Sequence, residues 1–155
     1  MNSIGVHSRM HYEVLNMKMN DEVRKIMDER FGHDNLIALG TVYEGVPYVR
    51  AVNAYYEDGA FYVMTYALSN KMKHIAANST VAICGDWFTA HGRGVNLGYV
   101  LATENVETMS KLRIAFAEWY DNGHTNEEDP NTCILKIELT DAVLFHHGTR
   151  YVLEF

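Results

Sequence analysis

Two turn signals between β-rich segments constrain the fold of this chain more than any other feature of the sequence. Glu44-Gly45 separates the apolar segment 36–42 from the Val- and Tyr-rich segment 47–56, and Glu57-Asp58-Gly59 separates the latter from segment 60–65. Short β-like runs joined by such turn residues are typical of hairpins. Residues 36–65 are therefore predicted to form an antiparallel β-meander.

Helical and β-like patterns alternate along the rest of the chain. Apolar residues recur at helical spacing in three segments, 20–31, 70–77 and 106–120. The remaining apolar segments read as strands at 80–88, 89–102, 132–139, 142–146 and 150–155, with a polar loop at 121–131. Gly92, Gly94 and Gly98 interrupt the second of these strands and predict a bulge or a close approach of another group.

Composition places the chain among ordinary globular proteins. It has 155 residues, 48% of them hydrophobic and 21% charged, which suits one domain over residues 1–155. A net charge of −7 without a dense Lys/Arg run argues against a nucleic-acid partner. No basic leader precedes an apolar core at the N-terminus, and no apolar run is long enough to cross a membrane. We expect a cytoplasmic protein without membrane contacts.

A group of polar side chains is predicted to form an anion site. Arg50 and Thr65 lie on neighbouring strands of the predicted meander, and Ser69 and Lys71 begin the following helix. Helix N-termini present unpaired N–H donors, while Arg and Lys add charge suited to phosphate. Each residue also has an ordinary explanation as a solvated charge, a helix cap or a strand former, so the spacing alone leaves both interpretations open.

The same residues carry a resemblance to a known family. The pattern Pro47-x-x-Arg50-x-Val52, a hairpin, an aromatic-rich strand ending in Thr65, and Ser69-x-Lys71 resembles the FMN-binding split-barrel family typified by pyridoxamine 5'-phosphate oxidase. The resemblance covers about residues 36–87. It implies a mainly β fold with α-helices (α+β), a split, antiparallel, Greek-key-like barrel of about six to eight strands with about two to four flanking helices. It also implies a homodimer that binds FMN at the subunit interface.

The resemblance assigns a binding role to individual residues. The phosphate end is implied to involve Arg50, Thr65, Ser69, Asn70 and Lys71. The ribityl chain and the isoalloxazine ring are implied to lie near Ala51, Val52, Asn53 and Tyr66. Asn70 departs from the pattern, because the oxidase has an Arg at this place, so one phosphate contact is weaker or replaced.

A second departure concerns the reaction. Residues 145–155 show none of the Trp-Pro-x-Arg-Leu character of the oxidase's substrate region. The closer likeness is to short relatives of the general-stress and nitroimidazole-resistance types. We therefore expect an FMN-dependent oxidoreductase that reduces a small electrophile, a nitroaromatic or a quinone, with electrons from NAD(P)H. Two alternatives stay open: a flavin-binding stress or sensor protein without turnover, and a split barrel that binds haem or a deazaflavin.

No catalytic side chain and no metal site are predicted. His146 and His147 adjoin, and neighbours in a strand point to opposite faces, so they are not expected to chelate one ion. Cys84 and Cys133 each lie in an apolar run and are expected to be small buried side chains. Without a Gly-x-Gly-x-x-Gly fingerprint, a P-loop or a Gly-x-Ser-x-Gly elbow, the Rossmann, NTPase and hydrolase classes lose their main support.

Overall fold

The computed structural model describes residues 13–155, so the interpretation of the N-terminus as leaderless lies outside the described residues. The elements follow in this order: β1 (Glu13–Lys18), α1 (Asp21–Phe31), β2 (Asn35–Tyr43), β3 (Val46–Glu57), β4 (Ala60–Tyr66), α2 (Asn70–Ala77), β5 (Thr80–Gly85), β6 (Phe88–Tyr99), a 3-10 turn (Thr103–Asn105), α3 (Val106–Ala115), β7 (Thr132–His146) and β8 (Thr149–Glu154).

Six of the strands close into an antiparallel barrel. The order is β7-β4-β3-β2-β5-β6, and a further pairing of β6 with β7 closes the ring. Strand β8 pairs with the second half of β7, and β1 adds to β8 in parallel. With the three helices outside this sheet, the predicted mainly β barrel with α-helices is confirmed.

The predicted hairpin turns are present at both positions. Tyr43 pairs with Val46 and Glu57 pairs with Ala60, so each turn has a two-residue loop. Both loop residues have positive φ in each case, 51° and 77° at Glu44-Gly45 and 44° and 82° at Asp58-Gly59. Such turns match the twist of antiparallel strands, which explains why this region was predictable.

Strands β3 and β4 stay together for only a short distance. Their ladder runs from Glu57↔Ala60 to Tyr55↔Tyr62 and ends there. Beyond this point β3 continues as the partner of β2, and β4 continues as the partner of β7. The barrel is therefore split between β3 and β4, and the two separated strand segments line a cleft.

Two apolar clusters hold the barrel and its helices. The larger fills the barrel, where the rings of Phe31, Phe61 and Phe88 meet at centroid distances of 5.0 to 6.0 Å. The smaller joins α3 to the outside of β7 through Met109, Leu112, Phe116 and Ile134. The segment after α3 is thereby held against the barrel next to the split.

Two predicted strand boundaries are wrong, and one strand was not predicted. Strand β7 runs unbroken through Asp141, which pairs with His91 of β6 and Glu154 of β8, and the pairing with β6 shifts register by one residue of β7 at Thr140. The predicted strand 80–88 is interrupted by a turn at Asp86-Trp87, where Trp87 has φ 51°. The parallel strand β1 was not predicted, since its partner β8 lies at the other end of the chain.

The third helix is also shorter than predicted. It ends at Ala115, and Val106, placed by the prediction on its apolar face, is 62% exposed. Residues 116–120 form turns, in which Trp119 and Tyr120 donate side-chain hydrogen bonds to Asp34 and Glu127. These tertiary contacts replace the continued helix. Within residues 13–155, no helix has the length and apolar character needed to span a membrane.

Close approach of β6 to β7 makes Gly92 sensitive to substitution. A Cβ at Gly92 would lie 2.6 Å from the Glu138 carbonyl oxygen and 3.1 Å from an Ile137 methyl carbon. We expect Gly92→Ala to lower the free energy of unfolding by about 1–3 kcal/mol because the strands must move apart. Gly40→Ala is the control, since its nearest contact would be 3.4 Å. Urea denaturation measures both, and equal midpoints for the two variants would contradict the expectation.

Candidate functional site

The cleft in the split of the barrel has a volume of about 540 Å³. One wall is formed by β3 and β4 and the other by the segment after α3. The lining residues are Ala51, Val52, Asn53, Met64, Thr65, Lys71, Trp119, Asn122, His124 and Thr125. A cavity of this size is typical of small-molecule and cofactor sites.

Lys71 supplies a half-buried cation at one end of the cleft. Its Nζ donates a hydrogen bond of 3.0 Å to Thr65 Oγ1. This bond links the first turn of α2 to the end of β4. Burial lowers the pKa of Lys71, and the positive charge of Arg50 lowers it further. An anion placed beside these two cations would relieve both effects.

Ser69 carries the least satisfied polar atom of this region. Its hydroxyl oxygen is buried, and in the described part of the chain it has no hydrogen-bond partner. Ser69 occupies the N-cap position of α2 as predicted, but its side chain does not cap the helix. The N–H groups of Met72 and Lys73 donate to the Ser69 carbonyl, so the free donors at the uncapped start of α2 are the backbone N–H groups of Asn70 and Lys71.

Hydrogen bonds from one nitrogen of its guanidinium hold Arg50 in place, and the other two nitrogens remain available as donors. Nη1 donates to the Leu39 carbonyl at 3.1 Å and to Thr41 Oγ1 at 2.8 Å. Across residues 13–155, no hydrogen bond is made by Nη2 or Nε. Desolvation lowers the pKa of Arg50. The side chain is therefore held in place with spare donors.

A buried histidine, not predicted from the sequence, connects α2 to Arg50. His74 Nδ1 lies 2.9 Å from Thr41 Oγ1, the same oxygen that accepts from Arg50. The imidazole lies against the rings of Tyr43 and Tyr48 at centroid distances of 5.0 and 4.6 Å. Burial lowers its pKa, and the charges of Arg50 and Lys73 lower it further. The network holds helix α2 and Arg50 in a fixed relation.

The Asp34 carboxylate accepts hydrogen bonds from two residues that line the cleft. Asn53 Nδ2 donates to Asp34 at 3.0 and 3.2 Å, and Trp119 Nε1 donates to Asp34 Oδ2 at 2.7 Å. Neither Asp34 nor Trp119 was assigned to the site from the sequence. The cleft is therefore lined by the cation of Lys71, and the Asp34 carboxylate lies behind two of its lining residues, Asn53 and Trp119.

Five of the nine residues that the resemblance singled out line this cleft, whereas Arg50 and Ser69, expected at its phosphate end, do not. Those that line it are Ala51, Val52, Asn53, Thr65 and Lys71. Tyr66 lines a neighbouring cavity of about 230 Å³, which shares Met64, Thr65, His124 and Thr125 with the cleft. Asn70 is exposed at the first position of α2.

Two other sequence expectations are wrong in detail. His146 ends β7 while His147 lies in the following turn with φ 45°, and their rings lie 4.1 Å apart instead of on opposite faces. Cys133 is buried as expected, but Cys84 is exposed. Among residues 13–155, no group of His, Cys, Asp or Glu side chains is arranged to hold a metal ion.

Comparison with known proteins places the whole barrel in one family. The family model described as pyridoxamine 5'-phosphate oxidase matches residues 19–145. A search of curated proteins gave no match.

Solved structures with the same fold share little sequence with this chain. An FAD-binding protein from Mesorhizobium loti is 14% identical with a TM-score of 0.61, over 80% of this chain and 92% of that one. A protein from Bacteroides thetaiotaomicron, provisionally described as a 5-nitroimidazole antibiotic resistance protein, is 15% identical with a TM-score of 0.56, over 79% and 81%. A heme binding protein from Mycobacterium smegmatis is 11% identical with a TM-score of 0.64, over 88% of this chain and 59% of that one.

The unpartnered hydroxyl of Ser69 gives a stability prediction for the ligand-free protein. A buried polar group without a partner is destabilising, so Ser69→Ala should leave the free energy of unfolding unchanged or raise it by up to about 1 kcal/mol. Thr65→Val, which removes the acceptor of the Lys71 bond, should lower it by about 1 kcal/mol. Urea denaturation compares the two. A loss of about 1 kcal/mol or more in Ser69→Ala would mean that the hydroxyl caps α2 after all.

The buried imidazole predicts a loss of stability in mild acid. Because the pKa of His74 is lowered by folding, the unfolded chain binds the proton first, and stability falls as the pH drops below about 6.5. His74→Gln should flatten this dependence between about pH 7 and pH 5. Burial also lowers the pKa of His146. Part of the dependence of stability on pH should therefore remain in His74→Gln.

The exposed His33 provides the control for this measurement. Thermal unfolding of His33→Gln should follow the wild-type dependence on pH. An unchanged slope in His74→Gln would show that another group titrates in this range.

Proposed function

Because this chain belongs to the pyridoxamine 5'-phosphate oxidase family, we propose that the cleft between β3 and β4 binds FMN. The observation that carries the proposal is the buried hydroxyl of Ser69, which lacks a partner at the start of the helix whose first turn holds Lys71. Charge-assisted hydrogen bonds to a phosphate would satisfy both residues at once. Ser69, Lys71, Arg50 and the first-turn amides of α2 are the proposed phosphate ligands.

The separated strand edges suit the remainder of the cofactor. Beyond Tyr55↔Tyr62, the edges of β3 and β4 that line the cleft have no ladder bonds to each other. Their N–H and C=O groups need partners when water is excluded. A ribityl chain and the polar edge of an isoalloxazine ring would supply donors and acceptors along Ala51, Val52 and Asn53.

The protein's own contribution to the chemistry is to bind and to orient. FMN supplies hydride or single-electron transfer when it is bound, and such chemistry requires no protein nucleophile. Arg50, Thr65, Ser69 and Lys71 would fix the phosphate, and the strand edge of β3 would hold the ring.

The proposed reaction is the reduction of a small electrophile, of nitroaromatic or quinone type, with electrons from NAD(P)H. The structural neighbour described as a nitroimidazole resistance protein supports this substrate class. Pyridoxamine phosphate is not the proposed substrate, because residues 145–155 differ from the oxidase pattern. A flavin-binding stress or sensor protein is the alternative, and turnover decides between them.

We further propose that the protein forms a homodimer. The hairpin of β2 and β3 exposes Val42, Val46, Tyr48 and Val49 beside a mostly apolar groove of about 450 Å³. A contiguous apolar surface of this kind is typical of a contact between proteins. The residues adjoin Arg50 in the chain, so a partner bound there would lie close to the proposed cofactor.

Haem is a second candidate ligand. His124 and Met64 line the cleft and are side-chain types that ligate haem iron. The neighbour from Mycobacterium smegmatis is a heme binding protein. The cation of Lys71 would accept a propionate as well as a phosphate, so the absorbance spectrum must separate the two ligands.

Binding is tested by titrating the purified protein with FMN and, separately, with haem. We expect a flavin spectrum retained through gel filtration, and a loss of affinity of about tenfold or more in Lys71→Met. Lys73→Met is the matched control, since Lys73 lies on the same helix but outside the cleft, over the Tyr43 ring. The proposal would be contradicted if the wild-type protein did not bind FMN but gave a Soret band with haem.

Turnover is tested on the FMN complex under anaerobic conditions. An oxidoreductase should lose its flavin absorbance when NADH or NADPH is added and regain it with a nitroaromatic or a quinone. A complex that keeps its spectrum with either nicotinamide would support the sensor alternative.

A further inference from the structure

The Asp34 carboxylate holds Trp119 beside β3. We call the hydrogen bonds that join Asp34 to Trp119 and to Asn53 the bracket. Asp34 accepts from the Trp119 indole N–H at 2.7 Å and from the Asn53 amide at 3.0 and 3.2 Å. One side chain therefore ties the segment after α3 to the strand that lines the cleft. Hydrogen bonds to a charged acceptor are stronger than those between neutral groups, which fixes the position of the indole.

Both ends of this bracket are anchored. Asp34 lies between α1 and β2, where Asn35 donates to the Phe31 and His33 carbonyls. The Trp119 ring packs on Phe116 at a centroid distance of 4.9 Å, and Phe116 belongs to the buried cluster under α3. The indole thus has a defined place without being fully buried.

The part of the Trp119 side chain that is not packed on Phe116 lines the cleft. Its only polar atom is already bonded to Asp34, so the part that lines the cleft is apolar and aromatic. Asn53 gives its amide N–H to Asp34 and retains a carbonyl oxygen as acceptor. An aromatic wall beside an acceptor suits a flat ring that carries an N–H group.

We propose that Trp119, positioned by Asp34, packs against the ring system of the bound flavin and thereby fixes which end of the cleft receives it. This inference rests on the proposed FMN site and adds a binding residue that the sequence pattern does not contain. The charges give the direction: the Asp34 carboxylate repels phosphate, and the cations of Lys71 and Arg50 attract it. The ring is therefore directed to the indole.

The test uses full-length protein reconstituted with FMN and compares Trp119→Leu with Trp87→Leu. Trp87 is the other tryptophan of the chain, is 66% exposed and does not line the cleft. Dissociation constants come from flavin absorbance, and emission of the bound flavin is recorded in parallel. A tryptophan in contact with the ring quenches this emission, and its effect falls off steeply with distance.

We expect weak flavin emission in the wild type and in Trp87→Leu. In Trp119→Leu the emission should recover and the dissociation constant should rise about tenfold, the size of effect that aromatic stacking has on planar bases. Unchanged emission and affinity in a Trp119→Leu protein that binds FMN would overturn the inference and leave the proposed function intact. Wild-type protein that fails to bind FMN would overturn both.

A second substitution guards against a folding defect in Trp119→Leu. Trp119→Phe keeps an aromatic ring on Phe116 but loses the bond to Asp34. We expect intermediate affinity and partly recovered emission. Wild-type values in this variant, or emission as high as that of free flavin in the wild-type complex, would contradict contact between Trp119 and the ring.

Discussion

The early end of the ladder between β3 and β4 is the constraint on which the rest of this structure depends. After Tyr55↔Tyr62, β3 still pairs with β2 and β4 still pairs with β7. The strands therefore still form a barrel, but its wall has a gap between β3 and β4. The opening exposes edges of backbone that no strand pairs, and an unpaired edge needs water, a ligand or another chain. Helix α2 and the segment after α3 lie at this opening, which brings Lys71 and Trp119 to one cleft.

Charged groups of both signs lie at or directly behind the lining of the cleft. Burial lowers the pKa of Lys71 and of Arg50, and the charge of Arg50 lowers the pKa of Lys71 further. Asp34 places a carboxylate behind two other lining residues, Asn53 and Trp119. Such an arrangement is unfavourable when the cleft is empty of ions and favourable when an anion lies beside Lys71. The unsatisfied Ser69 hydroxyl points to the same conclusion from hydrogen bonding instead of charge.

The parts of this molecule that follow local rules were predictable. Glu44-Gly45 and Asp58-Gly59 set two hairpins through positive φ, and the Ser69-x-Lys71 spacing set the start of a helix next to a strand end. The bracket of Asp34 and Trp119 joins residues 85 positions apart, and the contact of Thr41 with His74 spans 33 positions. The spacing of apolar residues along the sequence does not predict contacts between residues so far apart. Asp34 in particular reads as an ordinary loop residue, and Trp119 as part of a helix that tertiary packing ends at Ala115.

The central claim, that the split holds a phosphate at the start of α2, is tested most directly by a crystal structure of the FMN complex. The account predicts phosphate oxygens within hydrogen-bonding distance of Ser69 Oγ, Lys71 Nζ and the free guanidinium nitrogens of Arg50. A phosphate bound elsewhere, with the Ser69 hydroxyl still unpartnered in the occupied cleft, would contradict it.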